Sequence, residues 1–434
     1  MHTKKHLGFT SLRKTISKRF LQIEDYRQQG KIDYTLHDCF MSAFAMMYFQ
    51  DPALLEFQRR MQEGNNLNNL KTTFNINAIP KDSQLRDVLD NSPNDKLSDI
   101  FSDLLRPLQR GKQLEQFQFM DGHYLVALDG SGYFSSDKLC CPSCLTKTKK
   151  GTVRYEHQIL QAVIVCPGKR QVLPLAPEPI QNTDGTVKQD CEINAGKRIL
   201  SKIRKDHPKL KIILTCDDLY SKQPFVDSAK QANMSFILVA KPSDHKFLHE
   251  WVTELKQLNG TSTLKLHDQK GRIHRYEWVN EVPLNGTKDA DHVNFFEYAL
   301  TNKKGKVTYK NSWVTDFKIE ESNVIQLVKG GRARWKIENE TFNTLKNQGY
   351  HLEHNFGHGQ NNLSFTFFLL NLLAFFSHQI FELCDPLYQK CRLKFSARKE
   401  FWNQLRCTFR LLTFQSWEHM VKFIISPPEE PMPP

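Results

Sequence analysis

The sequence lacks the features of a secreted or membrane-spanning protein. Its first residues, Met-His-Thr-Lys-Lys-His, contain no apolar core of the kind that a signal peptide needs. The longest apolar stretch runs from Leu363 to Phe376. It is interrupted by Ser364, Thr366 and Asn371, which makes it too short and too polar to span a bilayer. We therefore expect a cytoplasmic protein with no membrane partner, and we interpret this stretch as a buried, phenylalanine-rich helix.

Paired cysteine clusters are absent as well. The 10 cysteines follow no pattern of a secreted disulfide framework. Cys141-Pro-Ser-Cys144, with Cys140 beside it, is the only CxxC, whereas structural zinc sites usually draw four ligands from paired clusters. His157 and Cys166 could complete a zinc set. We favour the simpler interpretation, a turn between two strands that carries free thiols.

Positive charge and aromatic residues are abundant instead. The 434 residues include 60 Lys and Arg against 47 Asp and Glu, a formal net charge of +13, which points toward a polyanionic partner such as nucleic acid. A hydrophobic fraction of 39% with 30 Phe indicates a folded chain. The alternative on charge alone is a basic protein with no nucleic-acid role.

The hydrophobic pattern divides the chain into helical and strand-rich parts. Residues 1–115 show helical spacing and early basic residues, which suits a DNA-binding region; a helical lid or a dimerisation element is the alternative. Residues 116–245 alternate strand-like and helical runs, as a mixed α/β sheet does. Residues 246–321 predict a β-rich insertion. Helical spacing returns in 322–385, and 386–434 form a basic region with a disordered tail from Pro427.

Three acidic segments lie far apart in the chain. Asp129 follows the apolar, strand-like run His123–Leu128, and Asp217 follows the similar run Lys211–Thr215. Glu338 lies in a helix-like stretch. A carboxylate at the end of a buried strand is costly to desolvate unless a cation or hydrogen bonds satisfy it. Two strands and one helix can bring three carboxylates onto a pair of divalent metal ions, which is the apparatus for cutting and joining phosphodiesters.

Two of these acids have close competitors. Asp218 follows Asp217 directly, but on a strand it would point to the opposite face. Glu340 lies two residues beyond Glu338, on another face of the helix. An isolated Asp is more often a cap or turn residue. The joint pattern nevertheless favours Asp129, Asp217 and Glu338.

In this order, three segments resemble the DDE transposases of bacterial insertion sequences, in the cut-and-paste branch with a β-rich insertion before the final glutamate. They are Ala127-Leu-Asp-Gly-Ser131, Thr215-Cys-Asp-Asp-Leu-Tyr220 and Arg334-Trp-Lys-Ile-Glu-Asn339. The resemblance covers roughly residues 120–380. It implies an α/β fold with an RNase H-like mixed sheet, interrupted by the insertion and flanked by helical regions. It also implies two Mg²⁺ or Mn²⁺ ions, with three catalytic metal ligands: Asp129, Asp217 and Glu338.

The resemblance extends to basic and aromatic residues. Arg334 fits the arginine of the family signature, Lys346 lies eight residues beyond Glu338 where seven is usual, and Gly331 stands where the family has tyrosine. Relatives with such an insertion can stack a flipped base on an aromatic residue near its end, and Trp313 occupies that place. A buried sheet tryptophan is the alternative for Trp313. The residues that we expect to contact DNA are Arg334, Lys346, Trp313 and Arg332.

The implied activity is that of a DNA transposase in a prokaryotic, nucleoid-associated setting. It would bind the inverted-repeat ends of its element, hydrolyse one strand at each end, and join the 3′-hydroxyl to target DNA. Synapsis of two ends implies a homodimer on double-stranded DNA. Two alternatives remain: an RNase H-like nuclease or resolvase without strand transfer, and a non-catalytic DNA-binding protein descended from a transposase. Intact acids at all three positions argue against the second.

Overall fold

A mixed sheet of 11 strands, with helices contributed by both ends of the chain, forms the fold. The computed structural model describes residues 5–28, 30–62, 64–149, 151–182 and 189–428. The strands are β1 (Tyr124–Ser136), β2 (Leu145–Lys149), β3 (Thr152–Val165), β4 (Leu173–Pro174), β5 (Glu178–Ile180), β6 (Ile212–Cys216), β7 (Ser235–Val239), β8 (Ser262–His267), β9 (Ile273–Pro283), β10 (His292–Thr301) and β11 (Val307–Thr315).

The helices surround this sheet and fill most of the remaining described chain. A π-helical segment, Ile337–Phe342, joins two of them. The α-helices are α1 (Phe9–Phe20), α2 (Leu36–Tyr48), α3 (Leu54–Met61), α4 (Gly64–Phe74), α5 (Asp82–Asn91), α6 (Asp95–Arg110), α7 (Glu192–Asp206), α8 (Gln223–Gln231), α9 (Lys246–Gln257), α10 (Val324–Arg332), α11 (Asn343–Asn347), α12 (Leu363–Cys384), α13 (Pro386–Arg392), α14 (Arg398–Leu411) and α15 (Trp417–Ile425).

The strand order is β2-β3-β1-β6-β7-β11-β10-β9-β8, with β4 and β5 also paired to β3. The pairs β1–β6 and β6–β7 are parallel, and the other pairs are antiparallel. The strands predicted within 246–321 are confirmed as β8 to β11. They extend the same sheet, because β11 pairs with β7 at Trp313–Val239 and the two following positions. The helix α9, which precedes them, was not predicted.

The strand β3 corrects one prediction. The sequence pattern predicts two strands, 153–160 and 162–165, because the polar Gln161 interrupts the apolar run. One continuous strand is observed. Gln161 is fully buried, and its amide nitrogen donates to the carbonyl oxygens of Ala162 and Leu175 at 2.7 and 2.8 Å. Since its amide donors are satisfied inside the fold, the strand has no reason to end there.

The phenylalanine-rich stretch forms the buried helix that the sequence predicts. Within the described part of the chain, α12 is the one helix whose length and composition would suit a bilayer, and 83% of its most apolar window is buried against protein. It packs on α2, α5 and α6. All residues of α2 are buried too. The helical part of the core therefore forms around α12.

Both ends of the chain contribute to this helical bundle. The rings of Phe9 and Trp417 stack with centroids 4.5 Å apart. The amide of Asn69 donates to the carbonyl of Phe409 at 2.8 Å, and its oxygen accepts from the backbone of Phe414 at 2.7 Å. The described residues of the first 115 therefore pack against those of 386–428. Most of the predicted disordered tail, residues 429–434, lies outside the described residues.

A buried histidine on α12 makes the stability of this bundle sensitive to acid. His378 is enclosed by aromatic side chains, with the ring of Trp402 at 4.2 Å and that of Tyr48 at 4.6 Å. Its Nδ1 lies 2.7 Å from the hydroxyl of Tyr350. Burial, together with the positive charge of Arg398, holds the pKa of His378 well below its usual range.

We expect His378→Gln to flatten the fall in stability on acidification. The unfolded chain binds this proton below about pH 6.5 whereas the folded chain does not, so stability falls as pH drops below that value. This group contributes a slope of up to about 1.4 kcal/mol per pH unit. Chemical denaturation between pH 5 and pH 8 measures it. Leu373→Ala, which destabilises the same helix without removing a histidine, should keep the wild-type slope; an unchanged slope in His378→Gln would contradict the assignment.

Candidate active site

Asp129 lies within β1 and Asp217 directly after β6, each just beyond the stretch in which these two strands pair in parallel. Ala127 of β1 pairs with Thr215 of β6, so each aspartate comes two residues after the last parallel pair. The strand β6 ends at Cys216, immediately before Asp217, while β1 continues. The shared register brings both carboxylates to the same edge of the sheet.

Glu338 reaches this edge from the π-helical segment between α10 and α11. π-helical turns are rare and occur frequently at functional sites. Arg334 precedes Glu338 by four residues, and its Nη1 lies 2.6 Å from Glu338 Oε1. The hydroxyl of Thr215 donates to the carbonyl of Gly330 at 3.4 Å, which holds the end of α10 against β6. The sheet and the helical segment are thus fixed to each other beside the acids.

The three acids and Arg334 form one electrostatic cluster. Burial raises the pKa of Asp129 to about 7, and the positive charge of Arg334 opposes this rise. The negative charges of Glu338, Glu192 and Asp217 raise it further. Burial also raises the pKa of Asp217. The pKa of Arg334 is raised, although burial opposes it, because the guanidinium is paired with Glu338. Carboxylates that raise one another's pKa repel one another, and an added cation would relieve that repulsion.

The competing acids have partners elsewhere. Asp218 accepts a hydrogen bond from Lys241 Nζ at 2.5 Å and forms an ion pair with it. Glu340 lies 3.7 Å from Arg170. The preference for Asp217 and Glu338 over these neighbours stays a prediction, since Glu338 is itself paired with Arg334.

Glu192 is a fourth carboxylate of the cluster, and the sequence analysis missed it. It lies at the start of α7, where Tyr220 donates a hydrogen bond to its Oε1 at 2.6 Å and the backbone of Gly130 donates another. Burial raises the pKa of Glu192, and the charge of Asp217 adds to this. A side chain at Gly130 would collide with the Glu192 carboxylate. The one sequence signal was Gly130 directly after Asp129, since a glycine permits close approach.

Trp313 is a core residue in this structure, which corrects the expectation that it contacts DNA. Its ring is fully buried and lies 5.2 Å from that of Phe296 in a stacked arrangement. A Cβ atom at Gly331 would come within 2.5 Å of the indole nitrogen. The indole therefore fills the space beside position 331. The alternative interpretation, a buried sheet tryptophan, describes its position.

The other predicted DNA contacts lie at or near the surface. Arg332 is exposed, and its guanidinium lies 4.6 Å from the ring centroid of Tyr309. Lys346 lies at the end of α11, and its Nζ is 2.9 Å from Glu353 Oε1. Arg334 is half-buried beside Glu338. Two of these three cations thus pair with carboxylates in the described structure.

A basic groove, which we define by Lys169, Arg170, Lys329, Arg332 and Trp335, borders the helical segment that carries Glu338. Lys329, Arg170 and Arg332 are exposed, and so is the indole of Trp335. Exposed cations beside an exposed aromatic ring suit a phosphate backbone and a base face. The sequence analysis singled out only Arg332 in this group.

No family model matches this chain, and no curated protein matches it. The resemblance to DDE transposases therefore stays a prediction from the residues.

We expect Asp129→Asn to stabilise the metal-free protein and to abolish its stabilisation by Mn²⁺. The folded chain binds the Asp129 proton more tightly than the unfolded chain, so stability is lost as pH rises from about 4 to about 7. Asn imitates the protonated form. At pH 8 the variant should gain roughly 1–3 kcal/mol over the wild type without metal. Thermal unfolding with and without Mn²⁺ measures both effects.

Asp218→Asn is the matched control, because this acid adjoins the cluster but pairs with Lys241. It should keep the Mn²⁺-dependent rise in melting temperature. A rise of equal size in Asp129→Asn would contradict the cluster as a cation site.

Proposed function

We propose that this protein is a DNA transposase whose catalytic centre is formed by Asp129, Asp217 and Glu338. One observation carries the proposal. Three acids chosen from separate segments of the sequence form a single electrostatic cluster, just beyond the parallel pairing of β1 with β6 and beside one helical segment. A cap or turn role for each aspartate alone would not require this convergence.

The fold supports an RNase H-like core for this centre. The strand order β3-β1-β6-β7 combines an antiparallel β3–β1 pair with two parallel pairs, as the resemblance implies. The helix α7 lies between β5 and β6 in the chain, and α8 lies between β6 and β7. The β-rich insertion lies between the second and the third acid in sequence, as in the cut-and-paste branch.

The chemistry of these residues suits hard divalent cations, because carboxylate oxygens are the ligands that Mg²⁺ and Mn²⁺ prefer. The acid oxygens do not all lie within 4.8 Å of one another. Burial first, and then the neighbouring negative charges, raise the pKa of Asp129. Asp129, Asp217 and Glu338 would hold the ions, with Glu192 adjacent. The bound ions would activate a water or a 3′-hydroxyl and stabilise the leaving oxygen of the phosphodiester.

The protein's own side chains would bind and orient the DNA around this centre. Arg334 pairs with Glu338 here, and its guanidinium suits a phosphate oxygen once that carboxylate binds a cation. The basic groove would bind the backbone next to the scissile bond, and Trp335 offers a base a stacking surface. Tyr220 and Gly130 hold Glu192 through hydrogen bonds, which fixes its position beside Asp217.

The partners would be the transposon ends and target DNA, with two protomers in the synaptic complex. The dimer follows from the resemblance, since each end needs its own centre. The rival function is an RNase H-like nuclease or resolvase that does not join strands. The four strands β8 to β11, which such a nuclease does not need, favour the transposase.

Single substitutions of the three acids should abolish DNA cleavage and joining. The substrate is double-stranded DNA that carries the inverted repeats flanking this reading frame, with Mg²⁺ or Mn²⁺. Asp129→Ala, Asp217→Ala and Glu338→Ala should each lower both rates by roughly a hundredfold or more, since even the outer partners of metal ligands are typically worth 10–100-fold.

Asp218→Ala and Glu340→Ala are the controls, and both should stay within a few-fold of the wild type. Full activity in any of the three catalytic variants would remove that residue from the centre. Cleavage without joining by the wild type would favour the nuclease, whereas binding without either reaction would favour a non-catalytic protein.

Neutralising the basic groove should weaken DNA binding in a salt-dependent way. The double variant Lys329→Ala with Arg332→Ala should reduce the slope of log affinity against log salt concentration by about 2, one for each phosphate that is no longer neutralised. Fluorescence anisotropy over a range of salt concentrations measures the slope. Lys205→Ala with Lys209→Ala removes the same charge near the amino end of β6, opposite Asp217, and should leave the slope unchanged. Equal slopes in the two double variants would exclude the groove as the DNA surface.

A further inference from the structure

A second group of potential metal ligands lies outside the acidic cluster. It consists of Cys141, Cys144, His157 and His358, whose ligand atoms all lie within 4.8 Å of one another. Three separate segments contribute: the CxxC turn before β2, the strand β3, and the loop before α12. Cys144, His157 and His358 are buried, and Cys141 is half-buried.

The distances between the ligand atoms match those of a tetrahedral site. The two sulfur atoms are 3.7 Å apart. His157 Nε2 is 3.5 Å from each sulfur, Cys144 Sγ is 3.5 Å from His358 Nε2, and the two Nε2 atoms are 3.1 Å apart. A tetrahedral zinc ion with its usual bond lengths requires about 3.8 Å between sulfurs, about 3.5 Å between sulfur and nitrogen, and about 3.3 Å between nitrogens.

Hydrogen bonds among these four side chains would explain the short distances less well than a bound metal ion does. Each thiol or neutral imidazole brings at most one donor hydrogen to the point where the four ligand atoms converge. The four groups can therefore satisfy one another's hydrogen-bonding capacity only in part. A central cation satisfies all four lone pairs at once. Two thiolates and two neutral imidazoles also balance the charge of a divalent ion, which a buried site requires.

We propose that Cys141, Cys144, His157 and His358 form a structural zinc site. Sulfur and imidazole ligands select zinc over magnesium or calcium, and four protein ligands leave no open position for a reaction. The site would tie the loop before α12 to the β1–β3 part of the sheet, although His157 and His358 are 201 residues apart in the chain. It does not depend on the proposed transposase activity.

The surroundings hold the ligands in place. The ring of Phe134 lies 4.4 Å from that of His358, and His358 also hydrogen-bonds to the backbone of Gly359. Hydrogen-bond partners outside the ligand group orient a metal-bound histidine. The Asp90 carboxylate of α5 accepts hydrogen bonds from four successive backbone nitrogens, 360 to 363, at 2.8–3.0 Å. The loop is therefore anchored directly after its ligand.

This set corrects the ligand candidates of the sequence analysis. His157 belongs to the set, as the sequence suggested. Cys166 does not belong, because it follows the opposite end of β3; nine residues of extended chain place it about 30 Å from His157. Cys140 is exposed and also lies outside the group.

Metal analysis of the full chain tests the proposal. The protein is purified without chelator, its affinity tag is removed, and zinc is measured by mass spectrometry. We expect one zinc per chain in the wild type, in Cys140→Ser and in Cys166→Ser, and loss of zinc in Cys144→Ser and His358→Gln. Zinc that persists in both ligand variants would overturn the proposal.

A cobalt titration covers the case in which the ligand variants fail to fold. The reduced, metal-free wild type should bind one Co²⁺ with the intense visible bands of a tetrahedral site and a near-ultraviolet thiolate-to-cobalt band. Added Zn²⁺ should displace it. A wild type that contains no zinc and gives no such spectrum would refute the site and would leave the acidic cluster untouched.

Discussion

The parallel pairing of β1 with β6 is the contact on which the candidate active site depends. Leu125–Leu128 and Ile212–Cys216 are buried throughout, so this register is fixed by the core on both faces of the sheet. A strand shifted by one residue would turn every side chain to the opposite face. Such a shift would also displace Asp217, which directly follows β6, from its place beside Asp129. The packing of apolar strands thus sets the position of Asp217 relative to Asp129.

The third acid depends on close contact between α10 and the sheet. Two consecutive glycines permit it: a side chain at Gly330 would meet Ile237 and Phe119, and one at Gly331 would meet the indole of Trp313. Position 331 and position 313 are therefore coupled. A side chain at position 331 would therefore require the buried indole to move. Trp313 of the sheet fills the volume beside this glycine.

The hydrophobic pattern of the sequence predicted the elements that depend mainly on neighbouring residues. Apolar spacing located α12 and the strands β8 to β11. Contacts between distant segments determine the features that the sequence did not reveal. The sequence around Glu192 shows only an acid in the first turn of a helix, a common arrangement, and its bonds to Tyr220 and Gly130 exist only after folding. The strand β3 was divided because sequence alone cannot show that the Gln161 amide finds acceptors inside the fold.

The acidic cluster and the cysteine and histidine group each include a residue of the same chain segment, which runs from the end of α10 to the start of α12. Near its start, the contact between Thr215 and Gly330 holds the end of α10 against β6. Near its end, His358 joins the cysteine and histidine group, and Asp90 binds the residues that follow. Glu338 lies between these anchors. Their ligand chemistry keeps the groups distinct, because oxygen ligands favour hard ions while sulfur and imidazole favour zinc. A zinc ion at the far anchor would therefore restrain the segment that carries Glu338 without competing for the acids.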